Sequence, residues 1–295
     1  MKRLFLIVFP LLTVTFSQAD TACRPVPGES QLWSRSSIRW LWVGETHGTS
    51  ETPAAFGDLV CDALLHGRHV TVALERPTTE QAAIDAILGS GDRSAAAQSL
   101  LKQPGWHNIY DGRTSQAMLQ LLFELRDLKI KYPSLRVAAV VDPSSFAASP
   151  AADDQAMGHS IVALEGKQAG DLVMVLTGNV HGMKNPIFGY KTAAMYLPAD
   201  GLVSLQVTDA GGVAWTMSDR GCGPTSGGVP DKDKSRPFGV YLDPNLARVG
   251  TVNGILALGK PTTTSWPANT STLANAPCWK SFHSQQDGQN RQNAP

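Results

Sequence analysis

Three features of the sequence predict an α/β fold with a mostly parallel sheet, helices on both faces, and an extension of short C-terminal strands, some of them antiparallel. Over residues 38–176, short β-prone apolar runs alternate with longer stretches of helical periodicity, the pattern that right-handed βαβ crossovers produce. The β-prone runs are almost continuously apolar rather than alternating, as strands covered on both faces must be. Each run also ends in a polar residue, so unusual side chains collect at the carboxyl ends of the strands, where open parallel sheets bind ligands.

The first strand spans Ile38 to Val43 and stops at Gly44. Thr52-Pro53 then opens a helix to about Leu65, with Thr as cap and Pro at the first helical position. His69 to Leu74 reads as the second strand, ending at Glu75, and Thr78 caps a helix containing Ile84, Ile87 and Leu88. Gly89, Gly91 and Pro104-Gly105 loosen the next stretch. From Thr114 to Leu128, Met118, Leu121, Leu122, Leu125 and Leu128 form one apolar stripe at helical spacing. Arg136 to Val141 is the third strand, ending at Asp142. A small-residue loop, Pro143 to Ala152, leads to a helix from about Asp153 to Lys167, and Asp171 to Leu176 is the fourth strand, ending at Thr177-Gly178-Asn179. Ala193 to Leu197, Val203 to Val207 and Gly212 to Met217 read as shorter strands extending the sheet, and Gly221-Cys222-Gly223 as a turn.

The 295 residues, 42% of them hydrophobic, suffice for one sizeable core. Residues 1–19 read as a signal peptide: Lys2-Arg3, an apolar run from Leu4 to Phe16, then Ser17-Gln18-Ala19 with cleavage after Ala19. That run is too short to span a bilayer. Cys23 follows Asp20-Thr21-Ala22, which lacks the small tripeptide of a lipoprotein signal, so a periplasmic or secreted protein without lipid anchor is expected. Residues 20–259 form the expected single domain, and residues 260–295, rich in Thr, Ser, Asn, Gln and Pro, a polar and largely irregular tail. Loss of Lys2 and Arg3 leaves 23 basic against 25 acidic residues, a net charge of −2, which gives nucleic acid no electrostatic foothold. The four cysteines, Cys23, Cys61, Cys222 and Cys278, form no C-x-x-C pair. In an exported chain they point to disulfides. Three connectivities are open; pairing Cys222 with Cys278 would tether two flexible segments, and a reduced Cys61 on a helix is the alternative.

The polar strand ends converge on one edge: Glu45 and His47 after the first strand, Glu75 after the second, Asp142 after the third, Asn179 and His181 after the fourth. Each residue alone has a plain structural use, as a loop histidine, a helix cap or a turn former. Together they form a cluster that must pair, coordinate or stay wet, because dry unpaired charges cost several kcal/mol. The chain has no G-x-S-x-G elbow, H-E-x-x-H helix, Walker loop or strand-linked G-x-G-x-x-G, which excludes those chemistries.

Read in order, Gly44-Glu45-Thr46-His47, Glu75, Asp154-x-x-Met157 and Gly178-Asn179-Val180-His181 resemble the superfamily of erythromycin esterases, ChaN haem-binding lipoproteins and Tiki/TraB proteins, most closely ChaN-like exported bacterial proteins. The resemblance covers roughly residues 37–200. It implies that Glu45, His47 and His181 line one pocket with Glu75 beside them, and that Asp154 is the acid of an Arg-Asp-x-x-Met segment. Asp153 stands where that family carries Arg, and Arg113, in Asp111-Gly112-Arg113-Thr114-Ser115, is the candidate compensating cation.

Two functions are open at this point. One is hydrolysis of an ester or amide in a small-molecule or peptide substrate. His47 or His181 would act as general base on water, oriented by Glu45 or Glu75, with Arg113 or the other histidine stabilising the oxyanion. A divalent Mn, Co or Zn ion held by His47, His181, Glu45 and Glu75 would also fit that residue set, as the Tiki branch implies. The other is haem binding without catalysis, as the ChaN branch implies, for which His107, Tyr110, Met183 and Tyr190 offer axial ligands.

Overall fold

The structure, a computed structural model, describes residues 23–166 and 170–282. The expected signal peptide, Lys167 and the end of the polar tail lie outside the described residues.

In chain order the elements are α1 (Ser30–Trp33), β1 (Trp40–Glu45), α2 (Glu51–Leu65), β2 (His69–Pro77), α3 (Gln81–Gly89), α4 (Arg93–Leu101), α5 (Gln116–Lys131), β3 (Arg136–Val141), α6 (Pro143–Ala148), α7 (Pro150–Ala163), β4 (Asp171–Gly178), β5 (Leu202–Thr208), β6 (Val213–Ser218), β7 (Gly221–Ser226), β8 (Gly239–Tyr241) and β9 (Gly254–Ala257). Seven strands form one sheet in the order β3-β2-β4-β1-β5-β9-β8, parallel throughout except for β8 against β9. The fold class expected from the sequence is the one observed.

Strand alternation sends successive side chains to opposite faces. Leu41, Val43, Val72, Leu74, Met174, Leu176 and Leu205 point to the face covered by α2, α3 and α5, in a core with Phe56, Ile84 and Leu121. Trp40, Trp42, Ala73, Val173 and Val175 point to the other face, packed on Met157 and Ile161 of α7. All these residues are buried, so the central strands read as unbroken apolar runs.

Several local expectations are corrected. The helix predicted to open at Thr52 starts at Glu51, and the Thr52 hydroxyl bonds to Thr49 Oγ1 at 2.9 Å instead of capping. The supposed loop from Pro143 to Ala152 is helical, because Asp142 and Ser149 each cap a helix that starts with a proline. Ala193–Tyr196 forms a 3-10 turn rather than a strand. The stretch around Val213 does not extend the main sheet. It pairs antiparallel with Gly221–Ser226, so the expected Gly-Cys-Gly turn is itself a strand, in a separate two-stranded sheet. No reduced Cys61 is found: it pairs with Cys23 (Cα–Cα 5.6 Å), while Cys222 pairs with Cys278 (5.0 Å) as expected.

The polar segment after Lys260 lies along the loops that follow β1 and precede α5. Ser50 N–H donates to Thr263 O, Gln116 N–H to Trp266 O, and Ala268 N–H to Thr114 O. Its last part, joined to β7 by the Cys222–Cys278 bond, stacks Trp279 on Phe282 and against Trp215 and Trp266.

Candidate active site

β2, β4 and β1 are neighbours at the middle of the sheet, in register so that Glu45 lies opposite Gly178. Their carboxyl ends therefore deliver Glu45, Glu75 and the two Gly-x-x-His segments within a few ångströms of each other. The glycines make this approach sterically open. A Cβ on Gly44 would sit 3.0 Å from Asn179 Cα, and one on Gly178 would sit 3.1 Å from His47 Nε2. Each motif's glycine thus clears space for the other motif.

Glu75 is the hub. It is buried, and its Oε2 accepts from Gly178 N–H at 2.6 Å and lies 3.3 Å from His47 Nε2. Its Oε1 accepts from Arg113 Nη1 at 2.9 Å, with His181 Nε2 at 3.7 Å. Burial raises the pKa of Glu75, but His47, His181 and Arg113 outweigh that and hold the carboxyl well below the usual range. His47 bonds through Nδ1 to Glu45 Oε1 at 2.9 Å, so both its ring nitrogens face carboxylates. Burial opposes the imidazolium, yet Glu75 and Glu45 together raise His47 to about 10. Glu45 is pushed up, its burial and the nearby Glu75 outweighing the pull of His47.

His181 differs from His47. Its Nδ1 bonds to Asp154 Oδ1 at 2.8 Å, and that oxygen also accepts from Ala193 N–H at 2.8 Å, which fixes the carboxylate. Nε2 has Glu75 Oε1 at 3.7 Å, and the residue lines a cavity of about 360 Å³ together with His47, Glu75, Asp111, Arg113, Phe146, Pro150 and Asp153. Burial lowers the His181 pKa, but Glu75 and Asp154 reverse this and leave it raised above 6.5.

Arg113 is gripped by Asp111 through Nε at 2.8 Å and Nη2 at 2.5 Å, besides Glu75. Its carbonyl accepts from Arg76 Nη1 at 3.0 Å, and Arg76 is itself buried in a bidentate pair with Glu80. Arg76, Glu80 and Asp111 were not singled out from the sequence. The two charges at positions 76 and 80 are four apart across a strand–helix junction, the one signal that could have exposed them.

The structure therefore brings together Glu45, His47, Glu75, Arg113, His181 and Asp154. It does not bring in Asp142, whose carboxylate caps α6 through Ser144 N–H, Ser144 Oγ and Ser145 Oγ; those hydroxyls lower its pKa. Asn179 serves the backbone, its N–H donating to Glu45 O at 2.9 Å. The cavity is also lined by Asp153, on α7 beside Asp154, by Pro150, and by Phe146, whose ring lies 5.4 Å from the Arg113 guanidinium.

The expected metal set does not fit this arrangement. Both nitrogens of His47 are taken by carboxylates, and Glu75 carries the Arg113 guanidinium where a divalent ion would have to bind. Among the described residues no group of three or more His, Cys, Asp or Glu has the geometry to hold a metal ion. Of the four haem-ligand candidates, Met183 is fully buried, Tyr190 half-buried and His107 and Tyr110 exposed, and none of them lines this cavity.

No protein-family model and no curated protein matches the sequence. Solved structures share the fold. A Bacillus cereus protein aligns with TM-score 0.61 at 13% identity, covering 81% of this chain and 92% of that one. A succinoglycan biosynthesis protein aligns at 0.58 and 11%, covering 82% and 93%. A mutant of the erythromycin esterase EreC in its open conformation aligns at 0.59 and 9%, covering 78% and 92%. At such identities the likeness defines a class by architecture: an α/β protein with the fold of an erythromycin esterase.

Proposed function

We propose that this protein is a hydrolase in which an Asp154–His181 pair activates water against an ester or amide carbonyl. The observation that carries the reading is the asymmetry of the two histidines. His47 has both nitrogens committed to carboxylates and remains an imidazolium, whereas His181 is oriented by Asp154 through Nδ1 and lines the cavity, with Nε2 3.7 Å from Glu75 Oε1. A buried carboxylate on Nδ1 fixes the tautomer that leaves Nε2 able to accept a proton.

In the reaction, His181 Nε2 takes a proton from water as its oxygen adds to the carbonyl carbon. The developing oxyanion lies in the positive field of Arg113 and the His47 imidazolium. When the tetrahedral centre collapses, His181 returns that proton to the leaving oxygen or nitrogen, releasing acid and alcohol or amine. Among the described residues no serine, threonine or cysteine lines the cavity, which supports water as the attacking group. The shared fold with an erythromycin esterase supports an ester as the first substrate to test.

We also propose that the protein works in an oxidising, extracytoplasmic compartment. Two disulfides and the apolar N-terminal run support this, and no described helix is long and apolar enough to cross a membrane.

Hydrolysis of 4-nitrophenyl esters by wild type, His181→Ala and Asp154→Asn tests the mechanism. Each substitution is expected to lower kcat by at least about a hundredfold. Equal rates in all three proteins would remove His181 from the reaction.

A further inference from the structure

Asp153 is a charged residue of the cavity wall that the proposed hydrolysis does not use. It sits in the first turn of α7, is 5% exposed, and lines the cavity with His47, Glu75 and His181. Its Oδ1 is buried without a hydrogen-bond partner. The neighbouring Asp154 holds His181 and Ala193 N–H through Oδ1, while its Oδ2 is likewise buried without a hydrogen-bond partner. The nearby guanidinium is committed, with Arg113 shared between Glu75 and Asp111. Among the described residues no cation forms an ion pair with Asp153. Burial pushes its carboxyl up to about 6, which leaves it charged at neutral pH.

A buried carboxylate that lines a cavity and forms no ion pair is a costly arrangement unless a ligand supplies the positive charge. We infer that the Asp153 carboxylate is a subsite for a substrate's ammonium group, and that the protein acts on ester or amide substrates carrying a protonated amine. The inference rests on the hydrolase reading for the reaction but not for the binding. The ammonium pairs with the Asp153 carboxylate at the cavity wall.

Two measurements test it together. The first compares kcat/KM for 4-nitrophenyl esters of 6-aminohexanoic and heptanoic acid, which differ in a terminal ammonium against a methyl. Wild type is expected to prefer the charged ester on the order of tenfold to a hundredfold, the range of one charge-assisted hydrogen bond. Asp153→Asn is expected to collapse that ratio toward one. The second is calorimetric binding of pentylammonium and pentanol to wild type and to Asp153→Asn, with folding of the variant checked by circular dichroism. Pentylammonium is expected to bind wild type at least about tenfold more tightly than pentanol, and to lose that advantage in the variant.

An unchanged ester ratio in the variant, or a wild type that does not distinguish the two esters, overturns the subsite. If wild type hydrolyses neither ester, the hydrolase reading fails, and calorimetry alone decides. Selective, Asp153-dependent binding of pentylammonium then upholds the subsite, and equal or absent binding of the two ligands removes it.

Discussion

Glu75 gathers one backbone N–H, one guanidinium and two imidazoles around a single buried carboxylate, and this sets the pH behaviour of the site. Because the His181 pKa is raised above 6.5, its neutral, proton-accepting form appears only as pH climbs above that value. His47 stays charged until about 10. The rate of ester hydrolysis is therefore expected to rise with an acid limb above 6.5 and to fall near 10, and stopped-flow rates across pH 5–11 check both limbs. Stability follows the same sign. His47 has a folded pKa above its unfolded value, so its ion pairs contribute fully below 6.5 and are lost as pH rises through about 10. Urea midpoints should drop across that window in wild type and stay flatter in His47→Ala. Dialysis against a chelator should leave turnover unchanged, since Arg113 occupies the place a divalent ion would need. At this scale the sequence was informative wherever a strand end fixes a residue's position, as for Glu45, Glu75 and His181. It failed at Asp142, where the adjacent Ser144 and Ser145 compete for the carboxylate, and at Asp111, whose role depends on how a loop folds back on Arg113.

Among the elements, β6 has the least expected part. Trp215 N–H donates to Gly48 O at 2.9 Å, and Trp215 Nε1 donates to Ile109 O at 2.5 Å, so one strand braces both the His47 loop and the Arg113 loop. Gly48 has φ +77°, and a Cβ there would meet Trp215 O at 2.2 Å; Gly112, at φ +78°, packs directly on Gly48. Gly67 offers a control, with φ +74° but nothing within 4 Å of its would-be Cβ. Gly67→Ala carries only the left-handed backbone cost, about 1 kcal/mol. Gly48→Ala adds a clash with backbone and should cost about 2 kcal/mol or more, with loss of activity, as read by denaturant titration and ester turnover. Similar costs for the two variants would mean that the loop yields without disturbing the site. The main strands were legible because burial on both faces leaves an unmistakable apolar run. The stretch from Gly212 to Met217, expected to extend the main sheet, pairs with β7 instead, because local alternation records that a strand has two environments but not which partner covers it. Pro143–Ala148 was missed as a helix because small residues carry no apolar stripe, although its cap and proline were present in the sequence.

Across the whole molecule, the two disulfides stand in different relations to the site. Cys23–Cys61 ties the N-terminal segment to α2, on the sheet face covered by α2, α3 and α5. Cys222–Cys278 ties the β6–β7 sheet to the segment bearing Trp279 and Phe282, and that sheet braces the His47 and Arg113 loops. The residues joined are 38 and 56 apart in sequence, and chain entropy assigns each crosslink roughly 4 kcal/mol. Removing either pair should therefore lower thermal stability by a similar amount, yet activity should separate them. The double variant Cys222→Ala/Cys278→Ala is expected to lose turnover at temperatures well below its melting point, because the brace on Gly48 and Ile109 loosens before the sheet unfolds. Cys23→Ala/Cys61→Ala is expected to keep its turnover until it melts. Paired melting curves and ester rates at 25 °C check this. Equal retention of activity in both double variants would show that Trp215 holds the two loops without help from the crosslink.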